Sequence, residues 1–261
     1  MAAVKRASAG LGRWNFNVLA FSSLCANRPL ALIGQVAFRP LLLQLRLDKR
    51  LTQAFLESLE SRYRSANAYH NSTHAADVLN SMVYFVNLKS SPLAALRPLE
   101  CLAAFTAAAA HDVGHDGMSN RFHTTAETPL AQLFNDQSCL ENMHSAVTFA
   151  LLQSAGTNFL TPLTPTEWTV FRNMVVSMIL ETDLAKHFQA VTAFRKEFLE
   201  GDPRAVEESS KRRQMLISFV LKACDVGASA KPFVLHAAWG ARINAEFFRL
   251  GLPPLCLCAC A

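Results

Sequence analysis

The chain has 261 residues, 51% hydrophobic and 17% charged, with a formal net charge of +5. That is ample length for a buried core, yet no apolar run reaches the roughly 20 residues that a bilayer-spanning helix needs. Apart from Lys211-Arg212-Arg213 the basic residues are scattered, which is no basis for a nucleic-acid footprint, since that needs a basic face with base-reading residues.

Residues 1–28 form a basic, Ala/Ser-containing lead whose aromatic stretch, Trp14 to Leu19, is expected to pack on the main body. Arg13 and Asn15 interrupt any hydrophobic region there, which argues against a secretory signal. Cys25, Cys101, Cys139 and Cys224 stand singly in apolar surroundings, as reduced core thiols of a cytoplasmic protein would. Cys256, Cys258 and Cys260 alternate in a terminal stretch, 252–261, at a spacing that matches no standard zinc pattern. Fatty acylation and an aberrant tail both stay open for it.

Helical periodicity runs from Leu30 to about Arg64, with Leu51, Ala54, Phe55, Ser58 and Leu59 as one stripe. Ser72 or Thr73 is the expected cap of a helix through Val78, Met82, Phe85 and Val86. Ser91-Pro92 reads as the start of a helix that includes Leu96 and Leu99 and runs on through Ala103–Ala110. A short helix over Pro129–Phe134 and a longer one over Ser138–Gln153 follow. Thr164-Pro165-Thr166-Glu167 is a capping box opening a helix with Val170, Met174, Val175, Met178 and Ile179. Further helices are expected from near Asp183, from Asp202-Pro203 to Asp225, and from Pro232 to Leu250, stopped by Gly251. No strand pattern is visible, so the expected fold class is all-α.

The chemistry gathers on His111-Asp112-Val113-Gly114-His115, directly after the apolar run Cys101–Ala110. His111 and His115 stand four apart, a spacing that on a helix puts both on one face. Tyr69-His70-Asn71-Ser72-Thr73-His74 supplies a second pair at the same spacing. A histidine beside a helix start also serves as a cap or a packing residue, so neither pair decides the matter alone. Together with Asp112, and with Asp225 at the end of a third helix, they offer two imidazoles and two carboxylates from three helices. That is a mixed nitrogen/oxygen site for zinc or a harder divalent ion. The two oxygens of Asp112 could bridge a pair of ions, the arrangement that stabilises attacking and leaving oxygens in phosphoryl transfer.

From about Trp14 to Gly251 the chain resembles the class I cyclic nucleotide phosphodiesterases, a branch of the HD-type metal-dependent phosphohydrolases. The most specific pieces are Tyr69-His70-Asn71-Ser72-Thr73-His74-Ala75-Ala76-Asp77-Val78 and His111 through Phe122. Phe134-Asn135-Asp136, Leu140-Glu141-Asn142, Thr182-Asp183, Lys231-Pro232 and Glu246-Phe247-Phe248 support them, in the family's order. The resemblance implies a compact multi-helix catalytic domain over 29–251. It also implies hydrolysis of 3',5'-cyclic nucleotides, cyclic AMP or cyclic GMP, to 5'-monophosphates in signal transduction. His74, His111, Asp112 and Asp225 match ligands of a first, zinc-like ion, and Asp112 would bridge to a second, Mg2+ or Mn2+. His115, Glu141 and Thr182 match residues that hold the second ion's waters. His70 matches the general acid that protonates the departing ribose 3' oxygen, and Tyr69 and Asp225 match residues at the substrate. His123, His144, His187 and His236 fall outside the ligand motifs and read as surface or packing residues.

Four departures accompany the resemblance. Met143 stands where many relatives carry a histidine, and Asp116 where proline or arginine is common; neither removes a ligand. Ala228 occupies the place of an asparagine that contacts the purine, so affinity or base choice is expected to suffer. Beyond Gly251 the family's final helices, which grip and stack the base, have no counterpart, so the catalytic domain reads as incomplete at its C-terminus. The expectation is a metal centre that can form, weak nucleotide binding, and apolar surface left exposed. A competing reading is an inactive phosphodiesterase-like chain with a regulatory or dimerisation role, as a homodimer or paired with a full-length relative. A third, an HD phosphohydrolase acting on another phosphoester, is opposed by Tyr69-His70-Asn71.

Overall fold

Local signals in the sequence set most of the helix starts. A computed structural model describes residues 7–201 and 210–249, together with Val4 and Gly251. Asn17 caps α1 (Val18–Leu24) by accepting from the Ala20 amide at 2.9 Å. Pro29 opens α2 (Pro29–Gln44), and Asp48 caps α3 (Lys49–Glu60) through the Arg50 and Leu51 amides. The helical periodicity between Leu30 and Arg64 therefore divides into two helices, because Arg46 turns left-handed at φ 54° between them.

Two starts differ from the sequence expectation. Asn71, not Ser72 or Thr73, caps α4 (Ser72–Asn87): its side-chain oxygen faces the Thr73 and His74 amides while its NH2 donates to Asn67 at 2.9 Å. A hydroxyl at the same place could not be held from both ends in this way. Pro92–Ala95 forms only a 3-10 turn, and α5 begins later, at Pro98 (Pro98–Ala110). A proline disfavours helical backbone in the residue before it, and Arg97 is accordingly extended, so the helix cannot start upstream.

Next come α6 (Asn120–Thr125), α7 (Pro129–Leu133), α8 (Cys139–Gln153) and α9 (Pro165–Glu181). The Thr164/Glu167 capping box is made as expected, but Phe171 rather than the 41% exposed Val170 fills the core. Past Asp183 a 3-10 turn leads into α10 (His187–Phe194), which continues as a π-helical turn over Arg195–Leu199, and α11 (Ser210–Asp225) and α12 (Phe233–Arg249) follow. The expected start at Asp202-Pro203 and the 252–261 tail lie outside the described residues. Among the described residues there is no strand, and no helix is long and apolar enough to cross a membrane.

The helix α5 runs through the centre, buried on all sides from Leu102 to Ala110. Its alanines let α2, α4 and α9 approach closely, since interaxial distance follows side-chain size. Gly34 does the same where α2 meets α3: a Cβ there would lie 2.6 Å from a Leu56 methyl carbon. Phe38, Phe55, Phe105 and Phe159 form a ring cluster below, with centroids 5.0 to 6.2 Å apart. Each such buried ring contributes about 1.5–3 kcal/mol of transfer free energy. The lead is strapped across α4, where the Asn80 amide accepts from the Gly12 amide at 2.8 Å and donates to the Arg13 carbonyl at 3.0 Å. Trp14 then donates its indole N–H to Ala230, at the turn that follows α11.

Candidate active site

Three helix ends converge beside α12. The start of α4 brings His74, the end of α5 brings His111 and Asp112, and the end of α11 brings Asp225. One ligand atom from each of these four residues lies within 4.8 Å of the others. Nε2 of His74 is 3.0 Å from Asp225 Oδ1, 3.2 Å from Nε2 of His111 and 3.5 Å from Asp112 Oδ2. Since a carbonyl can only accept, His111 must donate from Nδ1 to Ala108 at 3.0 Å, which aims the other ring nitrogen into the cluster. Asp112 Oδ2 is buried and has no hydrogen-bond partner. Burial alone would lower the pKa of His111, but Asp112 and Asp225 outweigh it and hold that pKa well above the usual histidine range. The same pull favours any cation. An orphaned carboxylate oxygen, two inward imidazoles and a second carboxylate fit a divalent metal ion.

A second group lies beside it, with the rings of His70 and His74 6.0 Å apart. The rings of His70 and His115 stack at 4.1 Å and 9°. Glu246, from α12, binds His70 Nδ1 with one oxygen, and its other oxygen accepts from the Tyr69 and His70 amides at 2.8 and 3.1 Å. Burial opposes a charged His70, yet the Glu246 hydrogen bond and the nearby Asp112 raise its pKa above the ordinary value. His115 is pushed the other way, by burial and by the charge of His70. Its Nδ1 accepts from the Gly117 amide at 2.9 Å, so a neutral ring carries its proton on Nε2. Two histidines in contact thus have their pKa values pushed in opposite directions, the pattern by which sites assign acid and base roles.

The stretch 111–115 is not helical as its spacing allowed. The helix α5 ends at Ala110, and Gly114 takes φ +81° with Met143 sulfur 3.2 Å from where a Cβ would sit. This turn swings His115 away from His111 and against His70. Glu141 stands in the first turn of α8, hydrogen-bonded to Asn120, and burial together with Asp183 and Asp112 raises its pKa to about 7. Thr182 is buried at the end of α9, its hydroxyl donating to Ile179. Tyr69 packs its ring 4.4 Å from that of His74 and 5.5 Å from Trp239. Ala228 is half-buried in the 3-10 turn Val226–Ala230.

Sequence reasoning gave two of the gathered residues no role. Glu246 is 176 residues from His70, and the motif Glu246-Phe247-Phe248 marked its place without giving it a partner. His144, read as a surface or packing residue, is buried, with Nε2 3.8 Å from Asp112 Oδ1 and its ring 5.7 Å from His115. Burial lowers its pKa to about 4, so it stays neutral. Its place one helical turn after Glu141 was the available signal. His123 is also buried, paired with Asp116 at 3.4 Å. A buried ion pair between Lys231 and Asp77 ties the segment after Asp225 to the helix turn after His74.

The comparisons agree with this geometry. A family model described as 3'5'-cyclic nucleotide phosphodiesterase matches residues 69–252. The mouse protein named 3',5'-cyclic-AMP phosphodiesterase 4C is 36% identical over 246 residues, covering 92% of this chain and 36% of the relative. A Drosophila melanogaster dual specificity calcium/calmodulin-dependent 3',5'-cyclic nucleotide phosphodiesterase 1 is 32% identical, covering 97% of this chain and 31% of its own length. The chain thus spans about a third of the curated relatives it matches. Among solved structures, the phosphodiesterase domain of Salpingoeca rosetta rhodopsin phosphodiesterase superposes with a TM-score of 0.85 at 27% identity, over 97% of this chain and 78% of that one. With the match spanning both clusters and the motifs that form them, the chain belongs to the 3'5'-cyclic nucleotide phosphodiesterase family.

Proposed function

We propose that the chain hydrolyses 3',5'-cyclic nucleotides, cyclic AMP or cyclic GMP, to 5'-monophosphates in signal transduction. The observation that carries this reading is the four-ligand cluster lying beside the hydrogen-bonded His70–Glu246 couple. His74, His111, Asp112 and Asp225 would hold a zinc ion. Asp112 would share a second ion, Mg2+ or Mn2+, whose waters His115, Glu141 and Thr182 would hold. When bound, such ions neutralise charge developing on the phosphate and make water a stronger nucleophile.

The chain's own residues handle the leaving side. Water adds to phosphorus, the bond to the ribose 3' oxygen breaks, and that oxygen takes a proton from Nε2 of His70. Glu246 keeps His70 charged until that moment, and neutral His115 flanks it without competing for the proton. Tyr69, packed on His74, and Asp225 border the space that the nucleotide would enter. Residues 29–251 would be the catalytic domain and 1–28 a lead packed on it, a reading supported by the Trp14 and Asn80 contacts. Free thiols at Cys25, Cys101, Cys139 and Cys224 support a cytoplasmic location. A homodimer, or pairing with a full-length relative, is supported by Phe233 and Val234 of α12, which are 80% and 76% exposed.

The test is turnover of cyclic AMP and cyclic GMP by the purified, metal-loaded chain beside His70→Ala. Losing a general acid should reduce the rate about 10²- to 10⁴-fold with metal content unchanged. A parent chain that binds its ions and turns over neither nucleotide would instead support the inactive, regulatory reading.

A further inference from the structure

Lys222 lies on α11, three residues before Asp225, and is 2% exposed. Burying an ammonium is costly unless its donors are satisfied. Here they meet carbonyls rather than a carboxylate. Nζ donates to the oxygens of Glu181, Thr182 and Asp183, at 2.8, 3.4 and 2.9 Å. Three donors thus serve three successive carbonyls. These belong to the end of α9 and the turn beyond it, where the helix dipole favours a cation; the Asp183 carbonyl also accepts from the Lys186 amide at 3.1 Å.

The turn so gripped is tied onward. Asp183 accepts from Ser138 at 2.7 Å through one carboxylate oxygen and from the Ala185 amide through the other. Ser138 stands just before the first turn of α8 in a left-handed conformation, φ 45°, and Glu141 follows in that turn. One ammonium therefore joins the three segments that carry Asp225, Thr182 and Glu141. Around it stand the carboxylates of Glu181, Asp225, Asp183 and Glu141, whose mutual repulsion it offsets. With all three donors engaged, Lys222 has none left for substrate.

We infer that Lys222 is a positioning residue, whose ammonium fixes the Thr182–Asp183 turn against the Asp112/Asp225 centre and thereby sets how firmly that side holds a second divalent ion. The ion-binding half of this inference rests on the two-ion reading proposed above; the clamp itself does not.

The experiment compares the full chain with Lys222→Met and Lys222→Arg. Amide hydrogen exchange at Thr182, Ala185 and Lys186, measured without metal, reads the clamp. Mn2+ titration followed by paramagnetic resonance, on zinc-loaded protein, reads the second ion. In Lys222→Met both the exchange rates and the Mn2+ dissociation constant should rise about tenfold, as expected for losing hydrogen bonds from a charged donor. Zinc content and the KM for cyclic nucleotide should not change, and Lys222→Arg should recover part of each loss. A folded Lys222→Met with parental exchange at these amides overturns the clamp; faster exchange with unchanged Mn2+ affinity overturns its link to the ion. Should Lys222→Met not fold, Lys222→Gln takes its place, with exchange expected in the order parent, Arg, Gln from slowest to fastest; any other order overturns the inference. A parent that binds only one ion defeats the two-ion reading, while exchange still judges the clamp.

Discussion

Replacing Glu246 with glutamine removes one charge from the His70 couple and leaves the shape almost intact. The glutamine oxygen can still accept from the Tyr69 and His70 amides, as the carboxylate does at 2.8 and 3.1 Å. Its NH2 then meets His70 Nδ1, which must give up its proton or lose its partner. A hydrogen bond to a charged group is worth about 1.5–3 kcal/mol, and each pKa unit about 1.4 kcal/mol, so the His70 pKa should fall by about 1–2 units. The direction is fixed by burial, which already lowers this pKa and is opposed chiefly by Glu246. In kcat/KM against pH, the alkaline limb reports loss of the acid and should move to lower pH by the same amount. Ring-proton titration of His70 by NMR gives an independent reading. Stability should follow with two signs. Glu246, held down at about 2, contributes stability present above its unfolded pKa and lost as pH falls through its folded pKa. His70, held up, contributes stability present at low pH and lost as pH rises through its folded pKa. An alkaline limb that does not move in Glu246→Gln, with the fold intact, would refute the assignment of His70 as an acid charged by Glu246.

Two further substitutions probe the metal centre and the staple beside it. Asp225→Asn removes a charge from the cluster, so the thermal stabilisation by zinc should disappear; for the parent this amounts to about 2.7 kcal/mol at a hundredfold excess over Kd, read by calorimetry with and without chelator. An equal gain in both proteins would count against Asp225 as a ligand. Lys231→Met strands Asp77, whose side chain is 6% exposed, and should cost about 3–5 kcal/mol in urea unfolding; Lys231→Met with Asp77→Leu should recover much of the loss. A single variant as stable as the parent would show that the pair contributes nothing.

Much of this site was legible because short-range rules wrote it. The histidine pair His70/His74 at a helix start and His111-Asp112 at a helix end lie in short motifs whose geometry is fixed within one turn, although the cap of α4 is Asn71 and not the expected hydroxyl. The resemblance added roles for residues in the two main motifs and for Glu141, Thr182 and Asp225, but was silent on what Glu246 touches. His144 escaped because a histidine inside an amphipathic helix looks the same whether it faces a metal centre or a core. Lys222 escaped for a similar reason: no sequence pattern announces a lysine whose partners are backbone carbonyls forty residues away, from Glu181 to Asp183.

By itself the sequence determined the helix start at Pro165, the all-α class, and the identity of the residues that could bind metal, because caps, prolines and periodicity act within a few residues. Only the tertiary structure decided that His115 leaves the His111 face, turned out by Gly114 at φ +81°, to stack on His70. It also decided that a carboxylate from the last described helix, that of Glu246, pairs with His70 and favours its charged form. Such pairings are settled by which helix ends meet, and that depends on the packing of α4, α9 and α11 around the alanine-rich α5, not on any local preference.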